Sequence, residues 1–265
     1  MYFKKKNQMK TKLKLYLVLV LTTFGLSACK KDKGLNVSKA STSSLTVINA
    51  LIDTGSASIQ LLPNFQSNVT INYNAANAYG ASIPTGYFIE YSSYSGNVPL
   101  SLANYPDTAH IIYNLNLNLP IYSIHSLFLT GTITNPDYLL TTDKLPIHKD
   151  STTGIRFVNL STGSSPVSVD IQGDANGSEV ASLVYKGITD FKTYAANSSA
   201  NDYTFEFRDA ASGTLLANYT MPSFNPVDNN GNPSQYLFKN VTIVLFGLPN
   251  GSGSAAQQTM LVNNY

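Results

Sequence analysis

Tryptophan is absent from this chain of 265 residues, and cysteine occurs once, at Cys29. A lone thiol excludes internal disulfides and leaves a structural zinc site without its usual cysteine ligands. His110, His125 and His148 are dispersed, with no second ligand at a zinc-like spacing. Charge is scarce as well: 12% of residues are Asp, Glu, Lys or Arg. The formal charge of +2 rests on six lysines before Leu15; without them 11 basic residues face 15 acidic ones, a net of −4. A mildly acidic body offers no footprint for nucleic acid. There is no Gly-x-Ser-x-Gly elbow, no phosphate-cradling glycine loop before a lysine and no His-Glu-x-x-His, so the common catalytic signatures are missing. No adequate run carries apolar residues at helical spacing beyond the leader.

What is present favours strands. The chain holds 17 Tyr and 12 Phe and is 43% hydrophobic, enough to bury a core. Many short β-branched and aromatic runs recur about every ten residues, broken by Gly, Pro and Asn, the pattern of β-sandwiches.

The N-terminus reads as an address. Basic residues up to Lys14 precede the apolar run Leu15-Tyr16-Leu17-Val18-Leu19-Val20-Leu21, and Gly25, Ser27 and Ala28 follow. That is the three-part plan of a secretory signal peptide, too short in its apolar part to span a bilayer comfortably. Leu26-Ser27-Ala28-Cys29 resembles the lipobox of bacterial lipoproteins, which implies that Cys29 is acylated and becomes the first mature residue. Lys30-Lys31-Asp32-Lys33-Gly34 is similar to short charged export signals, though less acidic. Polar residues then form a flexible tether.

The body says one thing twice. Gly154-Ile155-Arg156-Phe157-Val158-Asn159-Leu160 repeats Leu45-Thr46-Val47-Ile48-Asn49-Ala50-Leu51, and the same offset lays Val169 on Ile59 and Ile171 on Leu61. The expected organisation is a signal peptide over 1–28, a tether over 29–43 and two domains over 44–150 and 151–265. The expected fold class is all-β: two tandem immunoglobulin-like β-sandwich domains. Within the first copy, Leu45 to Leu51 and Ala57 to Leu62, separated by Asp53-Thr54-Gly55, are expected to form a hairpin. Tyr113 to Leu119 alternates strictly between apolar residues and Asn, so one face is buried and one wet. In the second copy, Tyr203 to Phe207 is matched to Tyr87 to Tyr91, Leu183 to Tyr185 to Ile71 to Tyr73, and Val241 to Gly247 to His125 to Gly131. Asp143 to Thr153 is the expected link.

These repeats resemble secreted, often lipid-anchored proteins of the domain-of-unknown-function 4397 family. Ile48-Asn49, Ser58 to Leu61 and Pro84-Thr85-Gly86 carry the resemblance in copy one, and Val158-Asn159 with Pro166 to Ile171 in copy two. Copy two departs at the turn, with Ala195 to Ala200 standing where a Pro-Gly pair is expected. The family implies no activity and no functional residues.

Candidate sites are few. Asp170, Asp174, Asn176 and Glu179 form one oxygen-rich cluster suited to calcium, set against the plainer reading of a solvated hairpin loop. Tyr73, Tyr79, Tyr87, Tyr91, Tyr94 and Tyr105 crowd the first copy; of these Tyr91 and Tyr94 are the candidates for facing a sugar ligand, against core packing as the commoner role. No cofactor or catalytic residue is expected. The sequence therefore implies a non-enzymatic, lipid-anchored protein of the cell envelope, expected at the outer membrane on its periplasmic or cell-surface face, with a binding or structural role. Its expected partners are the membrane, through the anchor, and a polysaccharide or another envelope protein. The alternatives are a glycan-binding accessory lipoprotein and, behind it, a β-sandwich hydrolase.

Overall fold

The computed structural model describes residues 42–52, 58–63, 82–107, 109–196, 202–221 and 235–264. Cys29, the leader, nearly all of the tether, Ile71 to Tyr73 and Tyr79 lie outside them. The fold is all-β and consists of two tandem β-sandwiches of the same plan. The first is built from β1 (Thr42–Asn49), β2 (Ser58–Pro63), β3 (Ser82–Pro84), β4 (Tyr87–Tyr94), β5 (Gly96–Asn104), β6 (Ile111–Leu119), β7 (Ile124–Thr132) and β8 (Asn135–Thr142). The second repeats it with β9 (Thr152–Asn159), β10 (Val167–Ile171), β11 (Val180–Leu183), β12 (Lys192–Ala195), β13 (Tyr203–Asp209), β14 (Leu215–Met221), β15 (Asn240–Phe246) and β16 (Gln258–Asn263).

Among the described residues each sandwich has two four-stranded sheets, ordered β4-β1-β7-β8 and β3-β2-β5-β6 in the first, β12-β9-β15-β16 and β11-β10-β13-β14 in the second. The opening strand lies inside its sheet, pairing parallel with β7 or β15 and antiparallel with β4 or β12. The parallel register is the same in both: Leu45 lies beside His125 and Asn49 beside Leu129, while Ile155 lies beside Val241 and Asn159 beside Leu245.

Alternation explains the opening strands. Leu45 and Val47 enter the first core with Ile59, Leu61, Leu100, Leu115, Leu117 and Leu127, and Ile155 and Phe157 enter the second with Val167, Val169, Phe205 and Phe207. Residues on the opposite face build a third core between the sandwiches: Ile48, Ala50, Ile52 and Phe128 from one side, Val158, Leu160, Val244, Phe246, Met260 and Val262 from the other. Because the sheet is buried on both faces, the strands read as nearly continuous apolar runs.

Three sequence expectations are corrected. Leu45–Leu51 and Ala57–Leu62 do not form a hairpin: β1 and β2 belong to different sheets, and their apolar residues meet across the core instead of edge to edge. Tyr203 to Phe207 does not correspond to Tyr87 to Tyr91, because β13 occupies the place of β5, and β4 has its counterpart in the short β12. The Pro84-Thr85-Gly86 turn has its counterpart at Val184-Tyr185-Lys186, ahead of Ala195 to Ala200, of which residues 197–200 lie outside the described residues. Gly86 N donates to Asn49 O at 2.8 Å, and Lys186 N to Asn159 O at 2.7 Å, with φ of 84° at Gly86 and 61° at Lys186. The match of Val241–Gly247 to His125–Gly131 holds in β15 and β7, with Gly131 one residue before the end of β7, Gly247 just after β15, and both at positive φ.

The repeated Asn is a buried fastener. Asn49 Nδ2 donates to Ile83 O at 2.8 Å and its Oδ1 accepts from Leu51 N at 3.1 Å. Asn159 does the same with Leu183 O at 3.1 Å and Ser161 N at 3.0 Å. Each therefore turns the chain after the opening strand and ties it to the facing sheet.

Candidate functional site

Where the two sandwiches meet, they leave a cleft of about 580 Å³ lined by Gly86, Tyr87, Phe88, Tyr219, Tyr236 and Lys239, with Gln235, Asn240 and Asn263 at polar positions and Met260 and Leu261 between them. The first copy contributes its turn. Thr85 Oγ1 donates to Leu51 O at 2.8 Å, and Gly86 sits so close to the second copy that a Cβ there would lie 3.4 Å from Phe246 Cζ. This aims Tyr87, 64% exposed, along the cleft while Phe88 packs on the third core.

The second copy contributes the opposite wall. Lys239 N donates to Tyr236 O at 3.0 Å, and Phe238 N to Thr152 O at 3.0 Å, which closes residues 236–239 as a turn against β9. Tyr236 is buried and shares a hydrogen bond with Tyr219 of β14; burial is the main reason its phenol is pushed up to about 12. Burial also raises the Tyr219 phenol. Both are thus neutral hydroxyls at physiological pH, able to donate and accept.

The link between sandwiches backs this wall through Asn240. Asn240 Nδ2 donates to Pro146 O at 2.9 Å, and its Oδ1 lies 3.0 Å from His148 Nε2, whose Nδ1 lies 3.0 Å from Thr152 Oγ1. Gly154 allows the approach, since a Cβ there would meet Asn240 Oδ1 at 2.2 Å. Beside it a buried polar network crosses the junction. Arg156 donates to Asp143 Oδ1 at 2.8 Å, to Thr242 Oγ1 at 2.8 Å and to Ser126 Oγ at 3.3 Å, and its guanidinium lies 4.6 Å from the centre of the Phe191 ring. Ser126 Oγ donates to the other Asp143 oxygen at 2.6 Å. At the far side, Lys186 Nζ reaches both oxygens of Asp137 at 3.0 and 2.9 Å.

The residues singled out from sequence lie elsewhere. Tyr91, only 4% exposed, belongs to the first core, and Tyr94 packs on the same core from a half-buried position. Neither ring is a free platform, because both pack on that core. The oxygen-rich group is divided. Asp170 is buried beneath Arg208, which lies 3.4 Å away and also bonds Glu206, and burial raises its carboxyl. Glu179 accepts from Lys192 at 2.7 Å and from the Tyr194 hydroxyl. Asn176 Oδ1 accepts from Ser168 Oγ at 2.6 Å, and Asp174 stands exposed. Among the described residues no three His, Cys, Asp or Glu side chains are grouped to hold a metal ion. His125 is a buried wall residue, its ring nitrogens 2.7 Å from Ser123 Oγ and 3.0 Å from Thr141 O.

Sequence reading named Tyr87 among the crowded tyrosines but missed Phe88, Tyr219, Tyr236, Lys239 and Asn263. They come from β4, β14, β16 and the turn before β15, and no local pattern joins them.

No family model matches the chain, and no curated protein does. Among solved structures, it is similar to a streptococcal virulence factor described as binding α-glucan, at 10% identity and a TM-score of 0.26, covering 68% of this chain and 87% of that one. It is also similar to streptococcal family 41 carbohydrate-binding modules at 11% identity and TM-score 0.24, covering 82% and 96%. A candidate adhesin from Bacteroides ovatus matches at 10% identity and TM-score 0.24, covering 84% and 95%.

Proposed function

We propose that this is a non-enzymatic, lipid-anchored envelope protein whose inter-sandwich cleft binds a glycan. The observation that carries the reading is the cleft lining: an exposed Tyr87 ring facing the hydroxyl pair Tyr219 and Tyr236, with Gln235, Lys239 and Asn263 at hand. Rings offer flat apolar faces to sugar C–H groups, while amides, phenols and an ammonium bond to sugar hydroxyls. The described lining holds no carboxylate and so lacks the Asp/Glu pair that glycoside hydrolysis ordinarily uses. Cys29 supplies the anchor in this reading; intact-mass analysis of the membrane form should show a chain beginning at Cys29 and carrying acyl mass.

The test is titration of the full chain with a panel of soluble polysaccharides. Tyr87→Ala should weaken binding of the recognised glycan by roughly tenfold, about 1.4 kcal/mol, while leaving the fold intact. A panel with no binder, or a binder indifferent to Tyr87→Ala and Lys239→Ala together, would overturn the reading.

A further inference from the structure

One margin of the first sandwich is left without a described partner strand. β6 ends the order β3-β2-β5-β6, and no described residue pairs with its outer side. Over Tyr113–Leu119 it carries no charge, no proline and no bulge; its one register shift against β5 falls at its start, between Ile111 and Tyr113. Those are the devices by which sheet margins ordinarily discourage pairing. Other margins have them: β8 holds Pro136 and Asp137, β4 holds Glu90 and β12 holds Lys192. The counterpart of β6 in the second copy, β14, is engaged from within, because Thr259 Oγ1 of β16 donates to Asn218 O at 2.6 Å.

The side chains match one occupant. Leu115, Leu117 and Leu119 are buried, while Asn114, Asn116 and Asn118 stand exposed on the outer face. At its two ends β6 is flanked by exposed apolar residues: Ile111, 43% exposed, at its start, and Ile121 and Tyr122, 47% and 86% exposed, just past its end. An antiparallel pairing about a two-fold axis sets the start of one strand against the end of the other, so Ile111 of each copy meets Ile121 and Tyr122 of its mate. The same operation lays the Asn rows side by side, amide to amide.

We infer that β6 pairs antiparallel with β6 of a second copy, joining two four-stranded sheets into one of eight. This surface lies apart from the cleft and does not depend on the glycan reading. The test uses the full chain in the membrane of expressing cells, with Asn114, Asn116 and Asn118 replaced in turn by Cys and treated with a short bis-maleimide. The parent chain, with Cys29 alone, sets the background, and Asn218→Cys serves as the control on β14. A product of twice the chain mass is expected most strongly from Asn116→Cys, which lies at the axis, well above Asn218→Cys. Ile111→Lys or Asn118→Lys, both at exposed positions, should cut that product about tenfold, since charge at the seam opposes apolar burial and pairing. Three folded Cys variants without dimer would overturn the inference. So would dimer insensitive to both lysine variants, or a product of another mass showing a different protein on the strand.

Discussion

At the scale of single residues, the recurring Asn does the same work in both copies. Asn49 and Asn159 are fully buried, and each satisfies one carbonyl of the facing sheet and one amide two residues on. Replacing either by Ala strands a buried donor and a buried acceptor. Asn159→Ala should therefore lower stability by about 1–3 kcal/mol in urea denaturation, with Asn49→Ala costing a similar amount. A loss confined to one of them would mean the two copies use the residue differently. The motif was legible as a repeated Ile-Asn or Val-Asn pair; its task was not, because Ile83 and Leu183 lie at different sequence distances from their fasteners. Tyr236 yields a pH prediction. Its phenol is raised to about 12, mainly by burial, above the ordinary tyrosine value near 10. The unfolded chain then loses this proton first, so the contribution to stability is whole below about pH 10 and disappears as pH rises through about 12. Thermal midpoints should fall across that window, and Tyr236→Phe should flatten part of the fall.

Among the strands, β9 shows why some of the fold could be read ahead and some could not. Its phrase repeats β1 because both are buried on two faces, and that demand leaves a long apolar run with little freedom to vary. The partner of such a strand is another matter. β1 was expected to pair with β2, its neighbour in sequence, yet it pairs with the distant β7, and β2 faces it across the core. Alternation identifies a buried face without saying which sheet supplies the other side. Arg156 marks the same difficulty. It interrupts the apolar run of β9 at the position where β1 has Thr46, and nothing local reveals that Asp143, Ser126 and Thr242 await it. Removing the guanidinium leaves the Asp143 carboxylate buried without its cation, so Arg156→Leu should cost about 3–5 kcal/mol. Adding Asp143→Leu should recover much of that loss, because a well-packed apolar pair can replace a buried ion pair. Chemical denaturation of the two variants separates a true ion-pair dependence from simple overpacking, which the second substitution would worsen.

For the whole molecule, the decisive feature is that the duplicated units share their equivalent faces. Ile48 and Val158, Ala50 and Leu160, and Phe128 and Val244 hold corresponding places in the two copies and enter one third core, as equivalent patches do in a two-fold dimer. The link, held through Asp143, Pro146 and His148, gives the pair no slack between β8 and β9. Neither sandwich can leave the other without exposing that core and Arg156 together. Heating should accordingly melt both in one transition, with calorimetric and van't Hoff enthalpies in agreement. Two resolved transitions would show that the third core contributes little. The coupling reaches the cleft, whose walls come one from each copy. A glycan bound there stabilises the joined state alone, so saturating it at 100 times its dissociation constant should raise the single transition by about 2.7 kcal/mol without splitting it. In Arg156→Leu, where the junction is loosened, the same glycan should bind more weakly although no residue of the lining has changed. Equal affinity in that variant would mean that one wall alone suffices, and that the meeting of the two copies is structural rather than functional.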